Sequence, residues 1–167
     1  MNNNYDNTIN DSEKKYNIAI YTDGACSGNP GKGGWGAILI YNKKKQNSDN
    51  KEIKKIISGS NNMTTNNIME LTAVIEALKI IKKPSKITLF SDSKYVINGA
   101  TQWLQKWQTN RWLGANKKPI KNVELWQDLL KLSTNHEIQW NWVKGHSTDP
   151  VNNEVDLIAR SESKKNN

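Results

Sequence analysis

The sequence predicts an α/β fold: a mixed sheet of five strands, three antiparallel and two more running parallel, with helices packed against it. Three features predict it. Short apolar stretches with period-two alternation gather early in the chain, at 16–22, 34–41 and 51–58. Beyond them, helical spacing alternates with strand-like runs at 87–91 and 136–143, the pattern of helices folded onto a sheet. The chain has 167 residues, enough for one core that buries roughly 68–70% of the unfolded surface and too few for a second large one.

Tyr16–Thr22 alternates as a first strand, Gly34–Tyr41 as a second and Lys51–Ser58 as a third, joined as a meander with polar turns at Asn42–Asn50. Asn66–Ile81 carries Ile68, Leu71, Ile75 and Leu78 at helical spacing, and Pro84 stops that helix. Ile87–Ser91 reads as a short buried strand. Lys94–Trp107 reads as a helix broken near Gly99, and Gln108–Asn122 as a basic loop. Val123–Leu132 is a predicted helix, His136–Val143 a Trp-rich strand and Asn153–Glu162 a final helix. These elements make one domain at 16–162. Residues 1–15 and 163–167 are polar and are expected to be disordered tails.

Composition narrows the function. Twenty-four Lys and Arg against 16 Asp and Glu give a net charge of +8, which points to a polyanionic partner such as nucleic acid or, more plainly, to a soluble basic protein. One cysteine, Cys26, excludes an internal disulfide framework and a Cys-based structural zinc site. No apolar run approaches the ~20 residues of a membrane helix. No secretory signal opens the chain, so a reducing, cytoplasmic setting is expected, without membrane association.

Two phosphate-binding motifs fail on context. Gly31-Lys32-Gly33-Gly34-Trp35-Gly36 satisfies the bare dinucleotide pattern, but the strand-like Ala37-Ile38-Leu39-Ile40 follows where a helix is required. Lys32 precedes Gly33 rather than Ser or Thr, so a P-loop fails as well. The glycines read better as a tight connection between adjacent strands. Cys26 and His146 form no nucleophilic constellation with a third partner.

Four acids stand at element junctions: Asp23 after the first strand, Glu70 in the first turns of the first helix, Asp92 just past the fourth strand and Asp156 in the last helix. Each alone has an ordinary reading. Asp before Gly suits a turn, Glu near a helix start suits the dipole, Asp92 could cap a helix and Asp156 could face water. Together they suggest more. If the first and fourth strands are parallel neighbours, Asp23 and Asp92 emerge side by side, and helices on the sheet can bring Glu70 and Asp156 to the same edge. Clustered carboxylates repel one another unless a cation sits among them, and an all-oxygen set suits Mg²⁺, with Mn²⁺ as substitute.

Six blocks then carry a resemblance: Tyr-Thr-Asp-Gly-Ala-Cys-Ser-Gly-Asn-Pro-Gly at 21–31, Thr-Thr-Asn-Asn-Ile-Met-Glu-Leu at 64–71, Ser-Asp-Ser-Lys-Tyr-Val at 91–96, Thr-Gln-Trp at 101–103, Lys-Asn-Val-Glu-Leu-Trp at 121–126 and Trp-Val-Lys-Gly-His at 142–146. In this order they resemble type 1 ribonuclease H of the bacterial-like form, over about Tyr16 to Arg160. The resemblance implies a ribonuclease H-like fold with helices on both faces of the sheet, and cleavage of the RNA strand of RNA–DNA hybrids by a monomer. It makes Asp23, Glu70, Asp92 and Asp156 the metal-binding and catalytic acids. They would hold two Mg²⁺ ions, about 3.5–4 Å apart, that activate water and stabilise the leaving 3′ oxygen, giving 5′-phosphate and 3′-hydroxyl ends. His146 matches the family's loop histidine, a proton shuttle or promoter of product release; on its own it reads as a solvated loop residue.

For the substrate, the resemblance places Cys26, Asn29, Asn66, Asn67 and Glu70 along the groove that senses 2′-hydroxyls, although turn chemistry and helix entry explain the asparagines equally well. Trp103, Lys106, Trp107 and Arg111 match the basic protrusion that grips the DNA strand. One tryptophan is expected to wedge inside and the other to face substrate. Thr65 belongs to the family's DNA-phosphate pocket. There Met63 stands where the family often has Arg, and Lys106 where it has Asn. Gln108, Thr109 and Asn110 replace residues that are commonly basic, so a weaker or more salt-sensitive grip is expected. A non-catalytic hybrid-binding module and a resolvase or integrase core are the alternatives. The complete acidic quartet argues against the first, and the Trp-rich blocks against the second.

Overall fold

The computed structural model describes residues 16–43 and 51–165. The expected N-terminal tail and most of the 42–50 turn lie outside these residues.

Five strands form one sheet in the order β3-β2-β1-β4-β5. They are β1 (Tyr16–Ser27), β2 (Gly31–Lys43), β3 (Lys51–Thr64), β4 (Ser85–Ser91) and β5 (Glu137–Trp142). β1, β2 and β3 pair antiparallel, and β1–β4 and β4–β5 pair parallel. The helices are α1 (Asn66–Lys79), α2 (Lys94–Asn98), α3 (Leu104–Thr109), α4 (Val123–Ser133) and α5 (Pro150–Ser163). A π-helical turn at Gly99–Trp103 joins α2 to α3, so the helix breaks at the glycine the sequence marks.

The chemistry of each side explains the layers. Ile18 and Ile20 of β1, Leu39 of β2, Ile87 and Leu89 of β4 and Leu71, Val74 and Leu78 of α1 build one core, closed by Trp126 and Leu129 of α4. Trp126 is fully buried, and its N–H donates to the Tyr95 hydroxyl at 3.0 Å, so the largest core side chain leaves no polar orphan. The opposite face of β1 and β2 receives α5 through Val155 and Ala159, both fully buried. The exposed Lys54–Glu154 ion pair, at 2.5 Å, adds little to this docking beside the apolar contact.

The sheet corrects three expectations. The glycines at 31–36 are not the connection between β1 and β2: they lie within β2, and the turn falls at 28–30. Their smallness serves close approach. A Cβ on Gly34 would stand 2.4 Å from the Ala159 carbonyl oxygen, so α5 packs directly on the strand backbone. The final helix starts at Pro150, three residues before the predicted start, with Asp149 as its N-cap accepting from the Val151 N–H at 2.9 Å. It also runs one residue past the expected domain end, with Ser163 buried.

Candidate active site

The β1–β4 ladder ends with the pair Thr22–Ser91. The next residue along each chain segment is an acid: Asp23 stays in β1, paired with Gly36 of β2, while Asp92 leaves β4. α1 brings Glu70 because its backbone lies almost on β1: a Cβ at Gly24 would come within 2.5 Å of the Glu70 amide nitrogen. Carboxylate oxygens of Asp23, Glu70 and Asp92 all lie within 4.8 Å of one another. Asp156, on α5, interacts with Asp23 and Asp92 from the side while its Oδ2 accepts from Arg160 Nη2 at 2.5 Å.

The ordinary readings fare differently. Asp23 is 5% exposed inside β1, not in an open turn. Glu70 is 3% exposed and lies beyond the first helical turn, too deep for a dipole role. The N-cap of α2 is Ser93, whose hydroxyl accepts from the Val96 N–H at 3.2 Å, so Asp92 is not spent on capping. Asp156 keeps part of its ordinary reading through the i,i+4 pair with Arg160.

The electrostatics are unfavourable without a cation. Two full charges at such separations repel by roughly 3 kcal/mol at an effective dielectric of about 20. Burial, then the charge on Asp92, pushes the Asp23 carboxyl up to about 8. Burial, then Asp23 and Asp92, pushes Glu70 well above the carboxylate range, and burial also raises Asp92. Glu70 Oε2 is buried without a hydrogen-bond partner. Hard oxygen donors, a buried orphan among them and proton affinities raised by burial and then by mutual repulsion fit a divalent cation: the three carboxylates would hold it, with Asp156 adjacent.

His146 sits in the loop before α5 with φ of 56°. The loop lies against Asp92, since a Cβ on Gly145 would be 3.1 Å from Asp92 Oδ2, and the imidazole acts electrostatically on that carboxylate.

The other expected residues form two groups. At the start of α1, Thr65 is the N-cap, accepting from the Ile68 N–H at 3.3 Å, and Asn29 Oδ1 accepts from the Asn66 N–H at 3.1 Å. Asn67 is exposed beside them. The Cys26 thiol donates to the Gly28 carbonyl at 2.7 Å and approaches the Thr64 carbonyl at 3.4 Å. Cys26, Asn29, Thr65, Asn66 and Asn67 therefore gather on one rim, where Thr65 and Asn29 also do structural work. Trp103, Lys106, Trp107 and Arg111 belong to a separate segment that packs on α4. Trp103 and Trp107 lie 5.8 Å apart between centroids, Trp107 is 5.3 Å from Trp126, and Trp107 alone of the two packs on the core. Lys106 and Arg111 are exposed, Arg111 with φ of 54°.

Sequence reasoning overlooked three partners of this site. Arg160 was legible as a cation four residues after Asp156, and Asp149 as a cap before Pro150. Trp142, whose N–H donates to the Asp92 carbonyl at 3.1 Å, carries no local signal, because the contact depends on β5 lying beside β4.

The sheet order and the cluster make this an α/β protein whose site, beside the end of its β1–β4 ladder, is built from acids rather than a nucleophilic side chain. The comparisons agree. The RNase H family model matches residues 15–164. A ribonuclease H from Zymomonas mobilis is 54% identical over 142 residues, 85% of each chain. The crystal structure of LC9-RNase H1, a type 1 RNase H with the type 2 active-site motif, superposes with a TM-score of 0.79 at 28% identity, covering 89% of this chain and 72% of that one. LC11-RNase H1, solved in complex with an RNA/DNA hybrid, shares the fold at a TM-score of 0.56 and 19% identity, covering 86% of this chain and 94% of that one. The chain belongs to the ribonuclease H family, in its bacterial-like type 1 form. Among the described residues no helix is long and apolar enough to cross a membrane.

Proposed function

We propose that this ribonuclease hydrolyses the RNA strand of RNA–DNA hybrids with two divalent ions, Mg²⁺ or Mn²⁺, held by Asp23, Glu70, Asp92 and Asp156. The observation that carries the reading is the trio of mutually repelling carboxylates, two buried and Asp92 half-buried, in a chain of net charge +8. Family membership and a fold relative solved with an RNA/DNA hybrid support the substrate. Divalent ions, when bound, supply an activated water and offset the charge on the leaving 3′ oxygen.

The chain's own residues do the rest. Asp23, inside β1, and Asp92, directly after β4, each follow the last pair of the parallel ladder and present their oxygens from rigid backbone. Water attacks the phosphorus, the bond to O3′ breaks, and the products carry a 3′-hydroxyl and a 5′-phosphate. His146, exposed beside Asp92, exchanges protons with solvent or helps the product leave. Cys26, Asn29, Asn66 and Asn67 line the rim where small polar groups can meet 2′-hydroxyls, Thr65 beside them faces a phosphate of the DNA strand, and Trp103, Lys106, Trp107 and Arg111 offer aromatic faces and cations to that strand. The protein acts as a monomer in the cytoplasm.

The test is a labelled RNA–DNA hybrid with Mg²⁺, run beside duplex DNA, duplex RNA and a Holliday junction. Cleavage of the hybrid alone, stopped by EDTA and leaving 3′-hydroxyl ends, is the expected result. Junction resolution, or hybrid binding without cleavage, overturns it.

A further inference from the structure

Trp142 closes β5 and is 45% exposed. Single exposed apolar residues are common and need no explanation. This one has both of its polar handles engaged. Its N–H donates to the Asp92 backbone carbonyl at 3.1 Å, and Lys94 Nζ stands 5.0 Å from its ring centroid. The Val143 N–H donates to the Ser91 carbonyl at 2.9 Å, so the last residue of β5 and the one after it hold the strand end from which Asp92 leaves. Asp92 is thus braced through its main chain, while its carboxylate stays free to face the cluster.

Lys94 begins α2, directly after the Ser93 cap, and is exposed. A cation–π contact at an exposed site contributes only about 0.5–1 kcal/mol, too little to explain it as a stabiliser of the fold. It holds an ammonium over the Trp142 ring, whose N–H is bonded to the backbone of Asp92. A nucleic-acid strand crossing the acidic cluster carries phosphates on both sides of the reacting one, each repelled by the carboxylates, and a restrained cation at the rim offsets one of them.

We infer that Trp142 is a positioning residue that fixes Asp92 through its carbonyl, and that the Lys94 ammonium held on the Trp142 ring takes a backbone phosphate of the substrate on the β5 side of the carboxylates. The inference rests on the nuclease reading above, and two variants separate its parts. Trp142→Phe keeps a ring for Lys94 and removes the N–H; Lys94→Gln keeps the N–H and removes the cation.

Mg²⁺ titrated into the full chain without nucleic acid, followed by thermal shift, reports on the carboxylate cluster that includes Asp92, apart from any phosphate contact. Hybrid cleavage and binding between about 50 and 200 mM salt report on the phosphate contact. Trp142→Phe is expected to raise the Mg²⁺ midpoint roughly 10-fold and to lower kcat to a similar degree, with KM for the hybrid within about twofold. Lys94→Gln is expected to leave the Mg²⁺ midpoint unchanged and to reduce the slope of log affinity against log salt by about 0.7–0.9. A wild-type Mg²⁺ midpoint and kcat in Trp142→Phe overturn the positioning role, and Trp142→Tyr repeats the test should Phe not fold. An unchanged salt slope in Lys94→Gln overturns the phosphate contact. If the wild-type chain leaves the hybrid intact, the nuclease reading fails by itself, and the Mg²⁺ midpoint and the salt slope of binding still decide the two residues.

Discussion

The carboxylate cluster and the aromatic-basic segment at 94–111 differ in how well their polar groups are satisfied. In the cluster, two buried acids and half-buried Asp92 crowd one another, and one buried oxygen has no partner. In the segment, Trp103 and Trp107 stack beside Tyr95 and Trp126, and the Lys106 and Arg111 charges sit in water. The first region stores electrostatic tension that a cation relieves; the second is content in the free protein and offers only surface. Chemistry belongs where the free protein is unsatisfied, and grip belongs where it is not.

Asp23→Asn breaks that division most severely. It is expected to abolish Mg²⁺-dependent cleavage, a loss of at least ~10³-fold, while hybrid affinity measured by fluorescence anisotropy stays within about twofold. Full activity in this variant would remove Asp23 from the site. Gly24→Ala comes next. Its Cβ would press within 2.5 Å of the Glu70 amide, so α1 must move off β1. A destabilisation of roughly 1–3 kcal/mol by denaturant titration is expected, together with a raised Mg²⁺ midpoint, because Glu70 leaves its partners.

The pH dependence sharpens the same contrast. Asp23 titrates at about 8 in the folded chain against an ordinary 3.8, with Glu70 and Asp92 raised as well. A raised folded pKa means that the native state binds its proton more tightly than the unfolded chain does. The associated stability is complete below pH ~4 and is lost as pH climbs towards 8. The Tm of the metal-free protein should therefore fall over that window, and added Mg²⁺ should recover more at pH 8 than at pH 5. Equal recovery at both would mean that the cluster does not bind the ion. Lys106→Ala, in the contented region, should have the smallest effect: a salt slope lower by about one unit, with kcat unchanged.

The sequence was legible wherever local pattern and tertiary role coincided. Ile68, Leu71, Ile75 and Leu78 announce α1, and the resemblance blocks point to the acids that the sheet brings together. It misled where one residue type serves two purposes. Gly33, Gly34 and Gly36 look like a turn because glycine permits one, yet here the missing side chain makes room for α5 and for Thr64. The start of α5 was placed late because Val151 and Asn152 show no helical periodicity, although Asp149 and Pro150 state the cap. Which of Trp103 and Trp107 packs inward could not be read at all, since the answer lies in Trp126, some twenty residues away.

The parallel β1–β4 pair has a consequence for the timing of biosynthesis. Asp23 and Asp92 lie on strands separated by the whole of β2, β3 and α1, and Asp156 waits for a helix near the end of the chain. A ribosome-bound fragment that has finished its antiparallel meander owns a single member of the set and nothing to hydrolyse with. With the four acids in the roles proposed above, enzymatic competence waits for α5 and arrives only when synthesis is nearly complete.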